Sequence, residues 1–119
     1  MKLLLTALCF ILFSQTAHAQ TAQTKFAMVG IGAITCHQWN TTEKDDFIRG
    51  TVVQWVYGYF SALNKVRAKK GHRQYNLRRL TTNNVLEAIE EFCPYYPDYL
   101  LSYAADSMIG NKIRVEERR

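Results

Sequence analysis

Asp45-Asp46-Phe47-Ile48-Arg49-Gly50-Thr51-Val52-Val53-Gln54-Trp55-Val56-Tyr57-Gly58-Tyr59-Phe60-Ser61-Ala62-Leu63-Asn64-Lys65-Val66-Arg67-Ala68 is the stretch that decides the fold class. Ile48, Val52, Trp55, Val56, Tyr59, Phe60, Leu63 and Val66 recur at spacings of three and four. That pattern places one wide apolar stripe on a helix over about residues 45–68. Thr51 to Tyr57 is rich in β-branched and aromatic residues and would also suit a strand. Strict alternation fails, because Val52–Val53 and Trp55–Val56 are apolar neighbours, and the helix is the better reading. Upstream, Thr41 to Asp46 supplies a threonine cap followed by carboxylates that suit the positive end of a helix dipole. Gly50 and Gly58 cost helix propensity. They lie near one face, where a second helix could approach closely, unless they are merely tolerated.

Working outward, Arg67, Lys69, Lys70, Arg73, Arg78 and Arg79 put six positive charges into the thirteen residues from Arg67 to Arg79, with no acid among them. Gly71 breaks the helix, and the segment reads as a solvated loop. A third amphipathic segment carries Val85, Leu86, Ile89, Phe92 and Cys93, with Asn84 and Glu87 at capping-box spacing. Pro94 interrupts it. Pro97 suits the first turn of a last helix bearing Leu100, Leu101, Ala104, Ala105, Met108 and Ile109. Gly110-Asn111 ends that helix, and Lys112 to Arg119 is charged and expected to fray. Before the long helix, Phe26 to Ile34 is apolar but holds Gly30 and Gly32, so it reads as an extended or loosely helical segment. Cys36 to Trp39 forms one helical turn with both of those side chains on one side. The expectation is an all-α domain of three to four helices.

The beginning of the chain has the pattern of an export signal. Met1-Lys2 is followed by a nearly unbroken apolar run from Leu3 to Phe13, then by Ala17-His18-Ala19, the small residues a signal peptidase reads. Cleavage is expected after Ala19, giving a signal peptide over 1–19 and one domain over 20–119, its ordered core about 26–110. The apolar run falls short of the roughly 20 residues that span a bilayer. A buried N-terminal helix is the bland alternative. Loss of Lys2, the one charged residue before Gln20, takes the formal charge from +5 to +4. That charge is too diffuse to argue for nucleic acid, and no later apolar run is long enough for an integral membrane span.

Export decides how the cysteines are read. Of the three, Cys9 falls in the signal sequence without a good lipobox, leaving Cys36 and Cys93 with one possible pairing. A bridge between them closes a loop of about 58 residues and is worth roughly 4 kcal/mol in the chain-entropy model. Two buried thiols are the alternative.

Chemistry is sparse. Adjacent Cys36 and His37 do not make a nucleophile and its base, and a bridged cysteine is no nucleophile. His37 and His72 lack further donors at metal-ligand spacing. Gly30-Ile31-Gly32 lacks the third glycine and helix start of a phosphate loop. Glu87, Glu90 and Glu91 form a solvated face. No catalytic residue, metal or cofactor is expected. The features suited to a protein partner are the basic residues of 67–79 and the tyrosines Tyr95, Tyr96 and Tyr99, with Tyr103 beside them.

A set of short motifs carries a resemblance. These are Cys36 with Trp39, Trp55-Val56-Tyr57-Gly58-Tyr59 followed by Ser61-Ala62 and Asn64, Cys93 with Pro97, and Ala104-Ala105. Over roughly residues 30–109 the chain resembles the HdeA/HdeB group of small periplasmic helical proteins with a single disulfide. It is also similar to the Rap1a/Tai immunity proteins. The first resemblance implies an acid-stress chaperone, dimeric at neutral pH, that loosens in acid and holds unfolded clients. The second implies a protein that neutralises a periplasmic toxin, with the basic segment and the tyrosines as its contact surface. Both imply a periplasmic binding protein and not an enzyme. The basic segment and the high aromatic content depart from the first group.

Overall fold

The computed structural model describes residues 28–117. The expected signal peptide, its cleavage site, Cys9 and the first two residues of the expected ordered core, Phe26 and Ala27, lie outside the described residues. Four α-helices are present among the described residues: α1 (Cys36–Thr41), α2 (Asp46–Lys69), α3 (Thr82–Phe92) and α4 (Leu101–Asp106). Two 3₁₀ turns, Ile31–Ala33 and Leu77–Arg79, precede α1 and α3, and no strand occurs among the described residues beyond isolated bridges. The domain is all-α, as the periodicity requires.

α2 forms the spine. Its buried residues Val52, Val53, Val56 and Phe60 lie on the anticipated stripe or beside it. The Asp45 carboxylate accepts a hydrogen bond from the Ile48 N–H at 2.8 Å and caps the helix. Thr41, expected to do so, instead ends α1. At the other end Gly71 adopts φ +69°, its N–H donates to Ala68 and that of His72 to Arg67. This reciprocal pair of bonds is the Schellman stop, and a glycine suits its left-handed position. Gly50 and Gly58 face open space, so among the described residues no helix approaches them.

Two other helix starts differ from expectation. α3 is capped by Thr81, whose hydroxyl accepts from the Asn84 N–H, so Asn84 lies one turn inside the helix. α4 begins at Leu101 and not at Pro97. The backbone of Pro97 to Leu100 is drawn against α1, with Cys36 N–H donating to Tyr99 O at 2.7 Å and His37 N–H to Pro97 O at 2.8 Å. A helix starting at Pro97 would lose both bonds. A true capping box opens α1, where Thr35 and Gln38 exchange hydrogen bonds.

The Cys36–Cys93 disulfide is formed, with the Cα atoms 4.8 Å apart. It ties the first residue of α1 to the end of α3, in a core that also buries Trp39, Phe60, Ile89, Leu101, Met108 and Ile113. Trp55 and Phe92 pack against that core without being enclosed.

The charged end does not fray over its described part. Ile113 is fully buried, and Tyr75 and Val115 form an antiparallel bridge. Asn76 N–H donates to Arg114 O at 2.7 Å and Glu116 N–H to Gln74 O at 2.8 Å. Charge alone suggested a loose tail, and backbone pairing overrides it.

Candidate functional site

Asn64, on the inner face of α2, organises the basic segment. Its side-chain amide donates to Tyr75 O at 2.9 Å and accepts the Tyr75 N–H at 2.7 Å. A nearly buried side chain thus stands in for a backbone bridge and fixes the chain that follows α2. Arg67 reinforces this. Its guanidinium lies 4.5 Å from the Tyr75 ring centroid, and its Nε donates to Arg73 O at 2.6 Å. Arg73 in turn donates to Glu116 O at 3.1 Å.

The basic residues expected to act together are therefore divided. Arg67 and Arg73 are committed to internal contacts. Lys69 and Lys70 are exposed at the end of α2, and Arg78 and Arg79 lie on the second 3₁₀ turn. The expected solvated loop contains the last turn of one helix and a short 3₁₀ turn, with Leu77 packed on the core.

The tyrosines form a graded surface. Tyr95 is 79 % exposed and Tyr96 is 47 % exposed, whereas Tyr99 is half-buried. Phe92 and Tyr96 stack with centroids 4.6 Å apart, and Tyr99 meets Phe92, Tyr96 and Tyr103 edge-on. This row begins at the disulfide, at the C-terminal end of α3. Arg78 and Arg79 precede the N-terminal end of the same helix, and eleven residues of α3 span roughly 16 Å. The two surfaces therefore lie toward opposite ends of α3.

Phe47 is 77 % exposed on the outer face of α2, over a shallow groove lined by Asp46, Gly50, Thr51 and Gln54. The sequence reading did not single it out. Its position off the apolar stripe is the signal that could have found it.

One polar pair links α2 to α4. Tyr59 donates to the Asp106 carboxylate at 2.6 Å while stacking on Trp55 at 5.2 Å. Loss of solvent, chiefly, raises the Asp106 pKa, and the Tyr59 hydrogen bond opposes that rise. The same shielding, reinforced by Asp106, pushes the Tyr59 phenol well above its ordinary range.

Cys36 and Cys93 are bridged, so neither sulfur is a free nucleophile. Among the described residues no group of three or more histidine, cysteine or carboxylate side chains is arranged to hold a metal ion, and no helix is long and apolar enough to cross a membrane.

No curated protein and no solved structure gives a significant match to the chain. A family model does match, over residues 2–98. The match takes in the Cys36–Cys93 pair and the whole of α1, α2 and α3. With most of its length covered, this chain belongs to the HdeA/HdeB family.

Proposed function

We propose that this protein is an exported, non-enzymatic chaperone of the periplasm that holds unfolded proteins under acid stress. The HdeA/HdeB family is one of periplasmic acid-stress chaperones. The observation that carries the reading here is the placement of the disulfide in a core of short helices. α1 and α4 have six residues each, far below the roughly 12–15 at which an isolated helix holds in water. They persist through their tertiary contacts, namely packing, the backbone bonds of Cys36 and His37 to Tyr99 and Pro97, and the disulfide. Loosening that packing melts both and uncovers Trp39, Leu101, Ala104, Ala105 and Met108, all buried in the folded state. The Cys36–Cys93 link keeps α1 and the end of α3 together while this happens.

Charge supplies the drive. The chain has fifteen lysines and arginines, three histidines and ten carboxylates. Well below pH ~4 carboxylates are protonated, so the positive charges are left without counter-charges and repel one another. In the fold Lys112 is paired with Glu87 at 2.7 Å and lies 3.9 Å from Glu91. Asp106 acts in the opposite sense. Its raised pKa adds stability below the unfolded value of about 4, and this is lost as the pH rises through the folded value. Global repulsion must therefore overcome the acid-favoured burial of one carboxyl.

A toxin-neutralising role would use the basic residues and the tyrosines as one contact surface. Their separation along α3, and the internal commitment of Arg67 and Arg73, make that the less economical reading.

The test is aggregation of an acid-labile client, followed by light scattering at pH ~2–3 and at pH 7 with the mature, oxidised protein. Suppression confined to acid is expected. Equal scattering with and without the protein at both pH values would remove the proposal.

A further inference from the structure

The tail and the second 3₁₀ turn enclose a polar groove that client holding does not use. Its volume is about 690 Å³, and Arg78, Arg79, Lys112 and Arg114 line it together with Glu116 and Glu117. That size falls within the roughly 300–1,000 Å³ of small-ligand sites. Its walls are held by the Asn76–Arg114 and Glu116–Gln74 hydrogen bonds and by the Asn64 clamp on Tyr75.

Lys112 is engaged by Glu87 and, more distantly, Glu91 on α3. The guanidinium groups of Arg78, Arg79 and Arg114 differ. Among the described residues none makes an ion pair or a side-chain hydrogen bond, although two carboxylates line the same groove. Three planar cations thus converge from two hydrogen-bonded segments with their donors unused.

We infer that this groove binds a phosphate-bearing polyanion through Arg78, Arg79 and Arg114. Guanidinium forks match the paired oxygens of phosphate, and several can act on one multivalent anion. A recess favours a slender phosphate chain or headgroup over the broad face of an acidic protein. Glu116 and Glu117 weaken the attraction at neutral pH, where the fold is intact, so their removal is a test in the opposite direction.

The probes are inorganic polyphosphate, vesicles of phosphatidylglycerol in phosphatidylcholine, and polyglutamate, each offered to the mature oxidised chain at pH 7 and low salt. The substitution set R78Q/R79Q/R114Q is expected to weaken phosphate binding about tenfold or more. The set K65Q/K69Q/K70Q removes the same charge from exposed positions on and just after α2 and is expected to cost less than about threefold. E116Q/E117Q is expected to tighten binding. This pattern with polyphosphate alone assigns a free phosphate polymer as the ligand. The same pattern on vesicles assigns a lipid headgroup. Equal losses in the two triple variants, polyglutamate binding as tightly as polyphosphate, or no binding of either phosphate probe would overturn the inference. Circular dichroism of each variant separates loss of the groove from loss of the fold.

Discussion

The indole of Trp55 covers Gly32 so closely that a Cβ built on the glycine would overlap Cζ2 of the ring. The same indole donates from Nε1 to Val29 O at 3.3 Å. One side chain of α2 therefore fixes the path of the segment that enters the domain. Gly32→Ala must displace the ring or the turn, and overpacking of this kind costs about 1–3 kcal/mol. Thermal denaturation of the variant should show a lowered Tm with the helical content kept at 20 °C. An unchanged Tm would mean that Trp55 is not held over Gly32 in solution.

Asn64 allows a sharper test of the clamp that shapes the basic segment. Asn64→Leu keeps bulk and leaves the Tyr75 N–H and C=O without their partners. Unsatisfied buried groups cost about 1–3 kcal/mol each, so a loss of about 2–4 kcal/mol in urea denaturation is expected. Amide exchange at Tyr75 should accelerate with it. A variant as stable as the parent would show that the clamp is not made.

Ser102 gives a prediction of opposite sign. It is 1 % exposed, and its hydroxyl has no hydrogen-bond partner among the described residues. Ser102→Ala removes the unmet polar group at nearly constant volume. Stability should hold or rise by up to about 1 kcal/mol. A clear loss in the same urea experiment would point to a partner that the hydroxyl acquires in solution.

Asp106→Asn separates local from global effects of acid. Asparagine can still accept the Tyr59 hydroxyl but carries no charge to be shielded. Because the Asp106 pKa is raised in the fold, the charged form penalises the native state at neutral pH and not below pH ~4. The variant should therefore be more stable than the parent at pH 7, and the gap should close toward pH 3. A gap that widens on acidification would reverse the sign of this contact.

The sequence carried the architecture where packing follows periodicity. The stripe from Ile48 to Phe60 located α2, and setting Cys9 aside in the expected signal sequence left Cys36–Cys93 as the one pair, which is formed. Boundaries were harder, since Thr41, Asp45, Thr81 and Asn84 are all competent caps and tertiary bonds choose among them. The Pro97 start failed because Cys36 and His37 take the carbonyls of Tyr99 and Pro97. The Asn64 clamp and the groove at Arg114 were illegible, since both depend on a tail returning beside Tyr75. Charge marked that tail as loose, and only Ile113, Val115 and their spacing hinted that it packs.

Opening of the core in acid while the bridge holds is the central claim, and tryptophan emission of the oxidised chain over residues 20–119 measures it directly. Trp39 is 1 % exposed at the centre of the fold, and Trp55→Phe leaves it as the sole reporter. Titration from pH 7 to pH ~2 should shift its emission to the red as the carboxylates protonate, with a parallel rise in binding of an apolar dye. Cys36 and Cys93 should remain unreactive to alkylation throughout. Emission that stays blue at pH ~2, with suppression of client aggregation at that same pH, would contradict the account.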